Sequence, residues 1–303
     1  MKQQIYEALS KIIKKENIHC DEPLFLHTSF KVGGPAQFFV QTDSVAQLQE
    51  VLNLLREKEI PFVILGKGSN VLVSDAGYEG VVIRLGDGMS EISHEGEKIR
   101  AGAGVSLAKV AAVALQKELA GFEFASGIPG SVGGAMVMNA GAYDGEMKQV
   151  VESVTLLDEN GKERTLTCEQ MEFGYRTSIL KRNPWIVTEV VFKLQQGTRE
   201  EIAEKMHTFA KRRNEKQPLE YPSAGSTFKR PEGHFAGKLI GEAGLSGYTI
   251  GGAKVSEKHN GFIINTGDAT AADISALIAH VRKQVKENSG VLLEPEVIYI
   301  GRE

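Results

Sequence analysis

A stretch of nineteen residues without a charged side chain, ASGIPGSVGGAMVMNAGAY at 125–143, constrains this chain more than any other segment. It holds five glycines together with Pro129, Ser131 and Asn139. A surface loop of this length normally carries Lys, Glu or Asp. Glycine lets the backbone approach a ligand closely, and glycine turns expose N–H groups that bind anionic oxygens. By composition alone, however, a buried and tightly turned structural segment is favoured over a ligand site.

Two shorter glycine loops, GKGSN at 66–70 and GAG at 102–104, are similarly rich in glycine. Their presence favours a ligand site over a purely structural segment. The first loop follows a predicted strand at 62–65, which a predicted helix connects to a strand at 37–40. Such a βαβ unit places the loop at the carboxyl end of a strand, where ligands bind in parallel sheets. Neither G-x-G-x-x-G nor G-x-x-x-x-G-K-[ST] occurs, which disfavours Rossmann and P-loop folds. The three loops therefore predict a large phosphate-bearing cofactor held by another fold.

The size and charge of the chain narrow the class of protein. Its 303 residues suit two domains, and its net charge of −4 does not suggest a protein that binds nucleic acid or membrane surfaces. Cys20 and Cys168 show no metal-ligand spacing, which argues against a metal site or a disulfide framework and fits a reducing compartment. No apolar run approaches the ~20 residues of a membrane span. We therefore expect a soluble, cytoplasmic protein.

Apolar periodicity predicts both helices and strands, and hence an α+β fold. Helices are predicted at 2–17, after Ser44, after Ser106, after residue 198 and at 270–287. Strands are predicted at 37–40, 62–65, 71–73, 81–85, 99–101, 185–194, 262–265 and 297–300, with a hairpin of 150–157 and 162–166. The character of the chain changes near residue 197, where we place a domain boundary.

Six sequence blocks, in the same order as in a known enzyme family, carry a resemblance to that family. They are LGKGSN (65–70), FASGIPGSVGGAMVMNAGAY (124–143), YRTS (175–178), SAGSTFKRP (223–231), GGAKVSEKHNGFIIN (251–265) and LEPEV (293–297). Together they resemble the UDP-N-acetylenolpyruvoylglucosamine reductase (MurB) family, flavoenzymes of bacterial peptidoglycan synthesis, over nearly the whole chain. The first two blocks also resemble vanillyl-alcohol-oxidase-type FAD domains in general, whereas the last four point to the reductase. The stretch after Trp185 has no equivalent of the substrate-closing tyrosine loop of longer members, so the chain resembles the shorter length class.

The resemblance implies a vanillyl-alcohol-oxidase-type FAD-binding region of two subdomains at 1–197 and a smaller α/β substrate-binding domain at 198–303, with the active site between them. It also implies that NADPH reduces FAD and that hydride then passes to the enolpyruvyl double bond of UDP-N-acetylglucosamine enolpyruvate, which gives UDP-N-acetylmuramate. FAD should be bound non-covalently, because neither His nor Cys occurs between 28 and 93 or between 95 and 167. No nucleic acid, membrane or obligate protein partner is expected.

Three residues match the catalytic motifs of the family. Ser226 would donate the proton, while Arg176 and Glu296 would stabilise the negative charge that hydride addition creates. Outside those motifs each would more often be a turn, surface or strand-edge residue. The cofactor-binding residues expected from the glycine blocks are Gly66, Lys67, Gly68, Ser69, Asn70, Gly127, Ile128, Gly130, Ser131, Gly133, Gly134 and Asn139. The candidates for binding the substrate are Arg176, Lys229, Arg230, Lys238, His259 and Asn260.

Two other functions stay open at this level. An FAD-dependent oxidase or dehydrogenase that acts on an alcohol or a hydroxy acid would keep the glycine loops, but it gives no reason for SAGSTF and LEPEV to occur together. A sugar-nucleotide sensor that has lost its cofactor would bind a UDP-sugar and never FAD. The sequence favours the reductase over both.

Overall fold

The computed structural model describes residues 2–301. These residues form seven helices: α1 (Lys2–Leu9), α2 (Val45–Glu57), α3 (Leu107–Gln116), α4 (Val132–Met138), α5 (Arg199–Lys216), α6 (Ala236–Glu242) and α7 (Ala271–Ser289). They also form nineteen strands: β1 (Ile18–Pro23), β2 (Pro35–Thr42), β3 (Phe62–Ile64), β4 (Val71–Val73), β5 (Tyr78–Leu85), β6 (Ile92–Glu95), β7 (Lys98–Gly102), β8 (Leu119–Ala120), β9 (Gly141–Ala142), β10 (Gly145–Glu146), β11 (Val151–Leu157), β12 (Glu163–Thr167), β13 (Ile186–Lys193), β14 (Gln195–Gln196), β15 (Ser223–Ser226), β16 (Thr249–Ile250), β17 (Ala253–Val255), β18 (Phe262–Asn265) and β19 (Ile298–Ile300).

The chain forms two compact units that are not contiguous in sequence. The first contains the chain up to Cys20, Phe38–Lys67 and Gly80–Arg213, and the second contains Asp21–Gln37, Gly68–Glu79 and the chain from Asn214 onward. This division differs from the boundary predicted at residue 197. The physical reason lies in the core of the second unit, which includes Phe30, Val32 and Leu72 from the early segments.

The first unit contains two separate apolar cores. One core lies at the five-stranded antiparallel sheet of order β12-β11-β13-β7-β6, where the rings of Phe122 and Phe192 meet edge to face at 5.0 Å. The other lies at the four-stranded sheet of order β1-β2-β5-β3 and receives the apolar face of α2. Each fully buried leucine of that face stabilises the fold by about 1.5–3 kcal/mol. The two cores are the structural basis of two subdomains.

Local capping explains where the helices of the first unit begin. The Ser44 hydroxyl accepts a hydrogen bond from Gln47 N at 3.2 Å, and the Ser106 hydroxyl accepts one from Lys109 N at 3.3 Å. Both serines satisfy backbone donors that have no partner inside the helix. The predicted starts of α2 and α3 are therefore confirmed.

The second unit contains a four-stranded antiparallel sheet of order β15-β18-β17-β16, on which α6 and α7 pack. Helix α7 begins with a capping box of Thr270 and Asp273 and ends at Gly290, which adopts a φ of 75°. Strands β19 and β4 form a separate parallel pair. The predicted strands at 71–73, 262–265 and 297–300 and the predicted helix at 270–287 are all present, with ends that differ by a few residues.

The predicted helix at 2–17 is the clearest departure from the sequence-based prediction. Helix α1 ends at Leu9, and the chain continues in turns in which Ile12 N and Ile13 N both donate to Leu9 O, at 3.0 and 2.8 Å. Ile13 stays buried in this arrangement. The turns therefore bury the apolar residues that the periodicity identified without extending the helix.

None of the helices among residues 2–301 combines the length and the apolar composition that a membrane span requires.

Candidate active site

A cavity of about 190 Å³ lies in the first unit at the ends of several strands. Strands β3 and β5 are parallel neighbours, with Ile64 opposite Ile83, so the loops that follow them lie side by side. The loop after β3 and the loop after β5 both line the cavity, as does the first turn of α4. The lining consists of Gln41, Ile64, Leu65, Gly66, Lys67, Arg84, Leu85, Gly86, Asp87, Ser90, Ala103, Gly104, Ser131, Gly133, Gly134, Val137, Trp185, Ile186 and Val187.

Backbone hydrogen bonds hold two of the three glycine loops together. Gly133 N donates to Ala103 O at 2.9 Å, and Val132 N donates to Val105 O at 2.8 Å. A Cβ atom on Gly133 would lie 3.1 Å from the Ala103 Cβ, which is closer than nearly all real contacts. The GAG loop and the 125–143 stretch are therefore packed so closely that a side chain at Gly133 would force Ala103 to shift.

The third loop packs against the 125–143 stretch through Gly66. A Cβ atom there would lie 2.5 Å from the Ser131 hydroxyl, which also accepts a hydrogen bond from Gly134 N at 3.4 Å. The structure thus brings five of the predicted cofactor residues to one cavity: Gly66, Lys67, Ser131, Gly133 and Gly134.

The composition of the lining fits a flavin dinucleotide. The backbone at Gly66, Gly86 and Gly104 carries no side chain, so an anionic group such as a phosphate can approach it closely. The apolar side chains of the lining can pack against the planar rings of the flavin or the adenine. Sequence reasoning missed Gln41, Arg84, Asp87 and Trp185. The signal for Arg84 and Asp87 was present, because the predicted strand at 81–85 runs into Gly86 just as the strand at 62–65 runs into Gly66.

The other predicted cofactor residues lie outside the cavity lining. Gly68, Ser69 and Asn70 belong to the second unit. Asn139 is fully buried: its side-chain N–H donates to Gly174 O at 3.1 Å, and its side-chain oxygen accepts from Lys148 N at 2.9 Å. The remaining members, Gly127, Ile128 and Gly130, belong to the loop that precedes α4.

Arg176 lies at the tip of a tight turn in the first unit. Gly174 N donates to Thr177 O at 3.1 Å, and Thr177 N donates to Gly174 O at 3.2 Å. Arg176 has a φ of 54°, a backbone conformation that non-glycine residues rarely adopt. One guanidinium N–H donates to Gly141 O at 3.2 Å. Because Asn139 also binds Gly174 O, the charge-free stretch holds the turn that presents Arg176.

Ser226 and Glu296 lie on neighbouring extended segments of the second unit. Ser226 is exposed at the end of β15, where it pairs with Phe262 of β18. The pairing of the two strands is irregular just before this point, at Gly225, which has a φ of 74°. Glu296 N donates to Thr227 O at 2.8 Å, and Thr227 N donates to Gly261 O at 2.8 Å. The segment that carries Ser226 is therefore held on one side by 261–263 and on the other by 294–296.

Asn70 holds the segment that carries Glu296. Its side-chain N–H donates to Glu296 O at 3.1 Å, and its backbone oxygen accepts from Ile298 N at 3.0 Å. These two contacts flank Val297, which is buried in the core of the second unit. Asn70 was expected to bind the flavin, but its hydrogen bonds in the structure hold the LEPEV segment in place.

The candidate substrate-binding residues of the second unit have different surroundings. Lys229 forms an ion pair with Glu294, whereas the exposed Lys238 lies 3.7 Å from Glu242 on α6. The guanidinium of Arg230 lies over the ring of Phe235 at 4.0 Å. Lys229 lies beside the segment that carries Glu296, because Lys229 N donates to Glu294 O at 2.9 Å.

His259 and Asn260 lie against α6. His259 Nδ1 accepts from Gly261 N at 3.2 Å, and the ring meets Phe262 edge to face at 4.8 Å. Burial, with a smaller contribution from the positive charge of Lys216, lowers the pKa of His259 below its usual value. The imidazole of His259 is therefore uncharged at neutral pH.

No cluster of His, Cys, Asp and Glu side chains within residues 2–301 is arranged to hold a metal ion. Both cysteines are free thiols, Cys20 exposed and Cys168 half-buried. Burial raises the pKa of Cys168 above its usual value, which makes its thiol less reactive.

Comparison with known proteins gives two family matches that together cover most of the chain. Residues 36–167 match the FAD binding domain family, and residues 217–300 match the family "UDP-N-acetylenolpyruvoylglucosamine reductase, C-terminal domain". The first match includes every cavity-lining residue except Trp185, Ile186 and Val187. The second includes Ser226 and Glu296.

Full-length relatives share about half of their residues with this chain. It is 53% identical to the UDP-N-acetylenolpyruvoylglucosamine reductase of Caldanaerobacter subterraneus subsp. tengcongensis and 49% identical to that of Clostridioides difficile, each over 99% of both chains. The crystal structure of the enzyme (MurB) from Thermus caldophilus matches with a TM-score of 0.80 at 36% identity, over 93% of this chain and 98% of that one.

These matches confirm the predicted α+β fold with an FAD-binding domain and a second, smaller domain. The alignment with the first of these relatives extends over 99% of both chains and therefore spans the region of the six sequence blocks. The chain therefore belongs to the UDP-N-acetylenolpyruvoylglucosamine reductase family.

Proposed function

We propose that this chain is an FAD-dependent oxidoreductase of peptidoglycan precursor synthesis. It uses NADPH to reduce the enolpyruvyl group of UDP-N-acetylglucosamine enolpyruvate and forms UDP-N-acetylmuramate. The observation that carries the proposal is the 53% identity to a named reductase over 99% of both chains. The arrangement of Ser226 and Glu296 on adjacent segments supports it, because the reaction needs an acid and a charged or polar partner close together.

The first unit holds the cofactor. FAD, when bound there, would supply a two-electron carrier between NADPH and the double bond of the substrate. The backbone of the loops at Gly66, Gly104 and Gly133 lines the cavity without side chains, so their peptide groups can contact the cofactor closely. Lys67 and Arg84 are the cations of the lining, and they balance the diphosphate charge.

The protein must stabilise the negative charge that forms on the substrate and must deliver one proton to it. Hydride addition to the methylene carbon leaves negative charge on the α-carbon and the carboxylate, and a proton must then reach the α-carbon. Ser226 donates that proton from the end of β15. Arg176 binds the carboxylate, because a planar guanidinium matches its two oxygens. Glu296 can stabilise the same charge only as the neutral acid, and as a carboxylate it acts by orienting the Ser226 hydroxyl or a water.

The second unit binds the sugar nucleotide. Lys229 is the favoured contact for the diphosphate because its backbone N–H donates to Glu294 O, which places Lys229 between the Ser226 and Glu296 segments. His259 and Asn260 contribute polar groups next to α6, and the buried side-chain oxygen of Asn260 has no hydrogen-bond partner in the described chain. Arg230 and Lys238 add positive charge that attracts the diphosphate. The enzyme acts in the cytoplasm, without an obligate protein partner and with FAD held non-covalently.

An anaerobic experiment tests the proposal as a whole. The flavin of the purified protein is reduced with NADPH, and UDP-N-acetylglucosamine enolpyruvate is then added. We expect the absorbance of oxidised flavin to return promptly, with one UDP-N-acetylmuramate formed for each flavin reoxidised. Flavin that stays reduced until air is admitted would contradict the substrate assignment and favour an oxidase. A colourless protein that binds UDP-sugars but never FAD would contradict the flavoenzyme itself.

A further inference from the structure

Trp185, the single tryptophan of the chain, lines the cavity of the first unit. It immediately precedes β13, whose first residues Ile186 and Val187 line the same cavity. The indole is half-buried, and the other lining residues include no aromatic side chain. Within residues 2–301 no aromatic ring stacks on Trp185. Its ring therefore faces a cavity without any aromatic partner from the protein.

A hydrogen bond fixes the orientation of this indole. The Trp185 N–H donates to a carboxylate oxygen of Glu159 at 2.5 Å. This hydrogen bond is the main reason that the pKa of Glu159 lies below its usual value. An ionised acceptor gives a stronger hydrogen bond than a neutral one. Trp185 is thus restrained at its polar edge, while its ring packs against the core of the first unit and also lines the cavity.

Glu159 is itself held in place by a rigid turn between β11 and β12. The neighbouring Asp158 is buried, and one of its oxygens accepts hydrogen bonds from Asn160 N and Lys162 N, both at 2.9 Å. Its other oxygen accepts from Arg164 Nε at 2.7 Å. These bonds fix the turn that presents Glu159. A chain of contacts therefore runs from the Asp158 turn through Glu159 to the Trp185 ring.

We propose that Trp185 stacks on a planar ring of FAD, and that Glu159 is the positioning residue that keeps the indole in the stacking orientation. The proposal deepens the proposed function, because it depends on FAD as the occupant of the cavity. Stacking of a nucleobase or a flavin ring on an aromatic side chain is a substantial binding contribution. Adenine and isoalloxazine offer the same planar chemistry, and the experiment distinguishes them.

The test measures FAD affinity in the apoprotein, independently of turnover. Apoprotein of the wild type and of Trp185→Leu, Trp185→Phe, Glu159→Ala and Glu159→Gln is titrated with FAD by calorimetry, after circular dichroism has shown that each variant is folded. We expect Trp185→Leu to weaken FAD binding about 5- to 150-fold, the range for loss of one stacked base. Trp185→Phe keeps a ring and should recover most of that loss.

The Glu159 variants separate positioning from simple support of the fold. Glu159→Ala should weaken FAD binding several-fold and shift the indole emission maximum, whereas Glu159→Gln keeps an acceptor and should restore both. Glu163→Ala, an exposed glutamate on β12 of the same hairpin, is the matched control and should bind FAD like the wild type. An emission spectrum unchanged in Glu159→Ala would overturn the positioning role.

Two half-ligands identify the stacked ring. In Trp185→Leu, weaker binding of ADP indicates adenine, and weaker binding of FMN indicates isoalloxazine. Wild-type affinity for FAD, ADP and FMN in Trp185→Leu would overturn the stacking proposal. A wild-type apoprotein that binds no FAD would instead contradict the proposed function, so the two failures are distinguishable.

Discussion

The cofactor cavity of the first unit and the Ser226 segment of the second unit are built in opposite ways. The cavity is formed by backbone: glycines at 66, 104 and 133 let loops approach within distances that a side chain would forbid. The Ser226 segment is formed by side chains carried on extended backbone, and its neighbours 261–263 and 294–296 align it by hydrogen bonds. In the proposed function, the first region selects a ligand by its shape and the second supplies reactive groups.

This difference predicts which kind of mutation should impair each region. A cavity lined by close-packed glycines should be weakened by an added methyl group wherever the new Cβ atom would meet a neighbouring atom. A region made of aligned side chains tolerates small changes of shape but fails when one functional group is removed. Mutations should therefore separate binding of FAD from reduction of the substrate. Three of the five variants below test that separation, and the other two test the stability of each unit.

Removal of the Ser226 hydroxyl should have the largest effect. Ser226→Ala should slow reoxidation of reduced flavin by the enolpyruvyl substrate about 10²- to 10⁴-fold, the usual contribution of a general acid. Its flavin content and the rate of flavin bleaching by NADPH should match the wild type. Stopped-flow absorbance measures both half-reactions, with Ser223→Ala at the other end of β15 as control. Near-wild-type reoxidation in Ser226→Ala would remove the proton-donor role.

Asn139→Ala should cost the most stability. The buried side chain bonds both Gly174 O and Lys148 N, and each group left without a partner costs about 1–3 kcal/mol. We expect the free energy of unfolding in urea to fall by about 2–5 kcal/mol. Asn160→Ala, on the exposed β11–β12 turn, is the control. Unchanged stability with a lost flavin would instead favour Asn139 as a direct cofactor ligand.

Gly66→Ala should weaken FAD binding about tenfold, which corresponds to about 1.4 kcal/mol. The added methyl group would lie 2.5 Å from the Ser131 hydroxyl and would displace it from the start of α4. Gly130→Ala is the matched control: its added Cβ would meet neighbours only at ordinary contact distances of 3.6 and 3.8 Å, and Gly130, although predicted from the sequence to bind the cofactor, lies outside the cavity lining. Titration of apoprotein with FAD measures both. Equal affinities in the two variants would show that glycine packing does not shape the cavity.

Asn70→Ala distinguishes the two regions directly. Loss of its bond to Glu296 O should cost about 0.5–1.5 kcal/mol and slow reoxidation by substrate several-fold, because Glu296 is less well aligned. The FAD dissociation constant should not change. A raised dissociation constant together with normal reoxidation would place Asn70 with the cofactor, as the sequence motif suggests.

The smallest expected effect concerns His259 and pH. Since burial lowers its pKa in the folded protein, the unfolded chain binds a proton near pH 6.5 that the folded chain does not. The free energy of unfolding should therefore fall as the pH drops below about 6.5. His259→Gln should flatten this decline between about pH 7.5 and about pH 5.5. Urea unfolding at the two pH values measures the difference, and identical pH dependence in both proteins would contradict a depressed pKa.

Features that depend on neighbouring residues were predictable from the sequence. Ser44 and Ser106 cap their helices through bonds that span three residues, and the hairpin around 158–161 forms a local turn. The helix predicted at 2–17 failed because periodicity identifies buried residues but not the conformation that buries them. The family prediction rested on ordered motifs rather than on physics, and the comparisons confirmed it.

The sequence by itself therefore determined the α+β class and the family of the chain, and it predicted that the glycine loops bind the cofactor. Only the tertiary structure decided what Asn70, Asn139 and Trp185 contact. It also decided that the segments 21–37 and 68–79 join the second unit. The physical reason is distance along the chain: Asn70 and Glu296 are separated by 226 positions, and no local preference or periodicity carries information about such a bond. These contacts exist only once the cores have folded and brought the segments together.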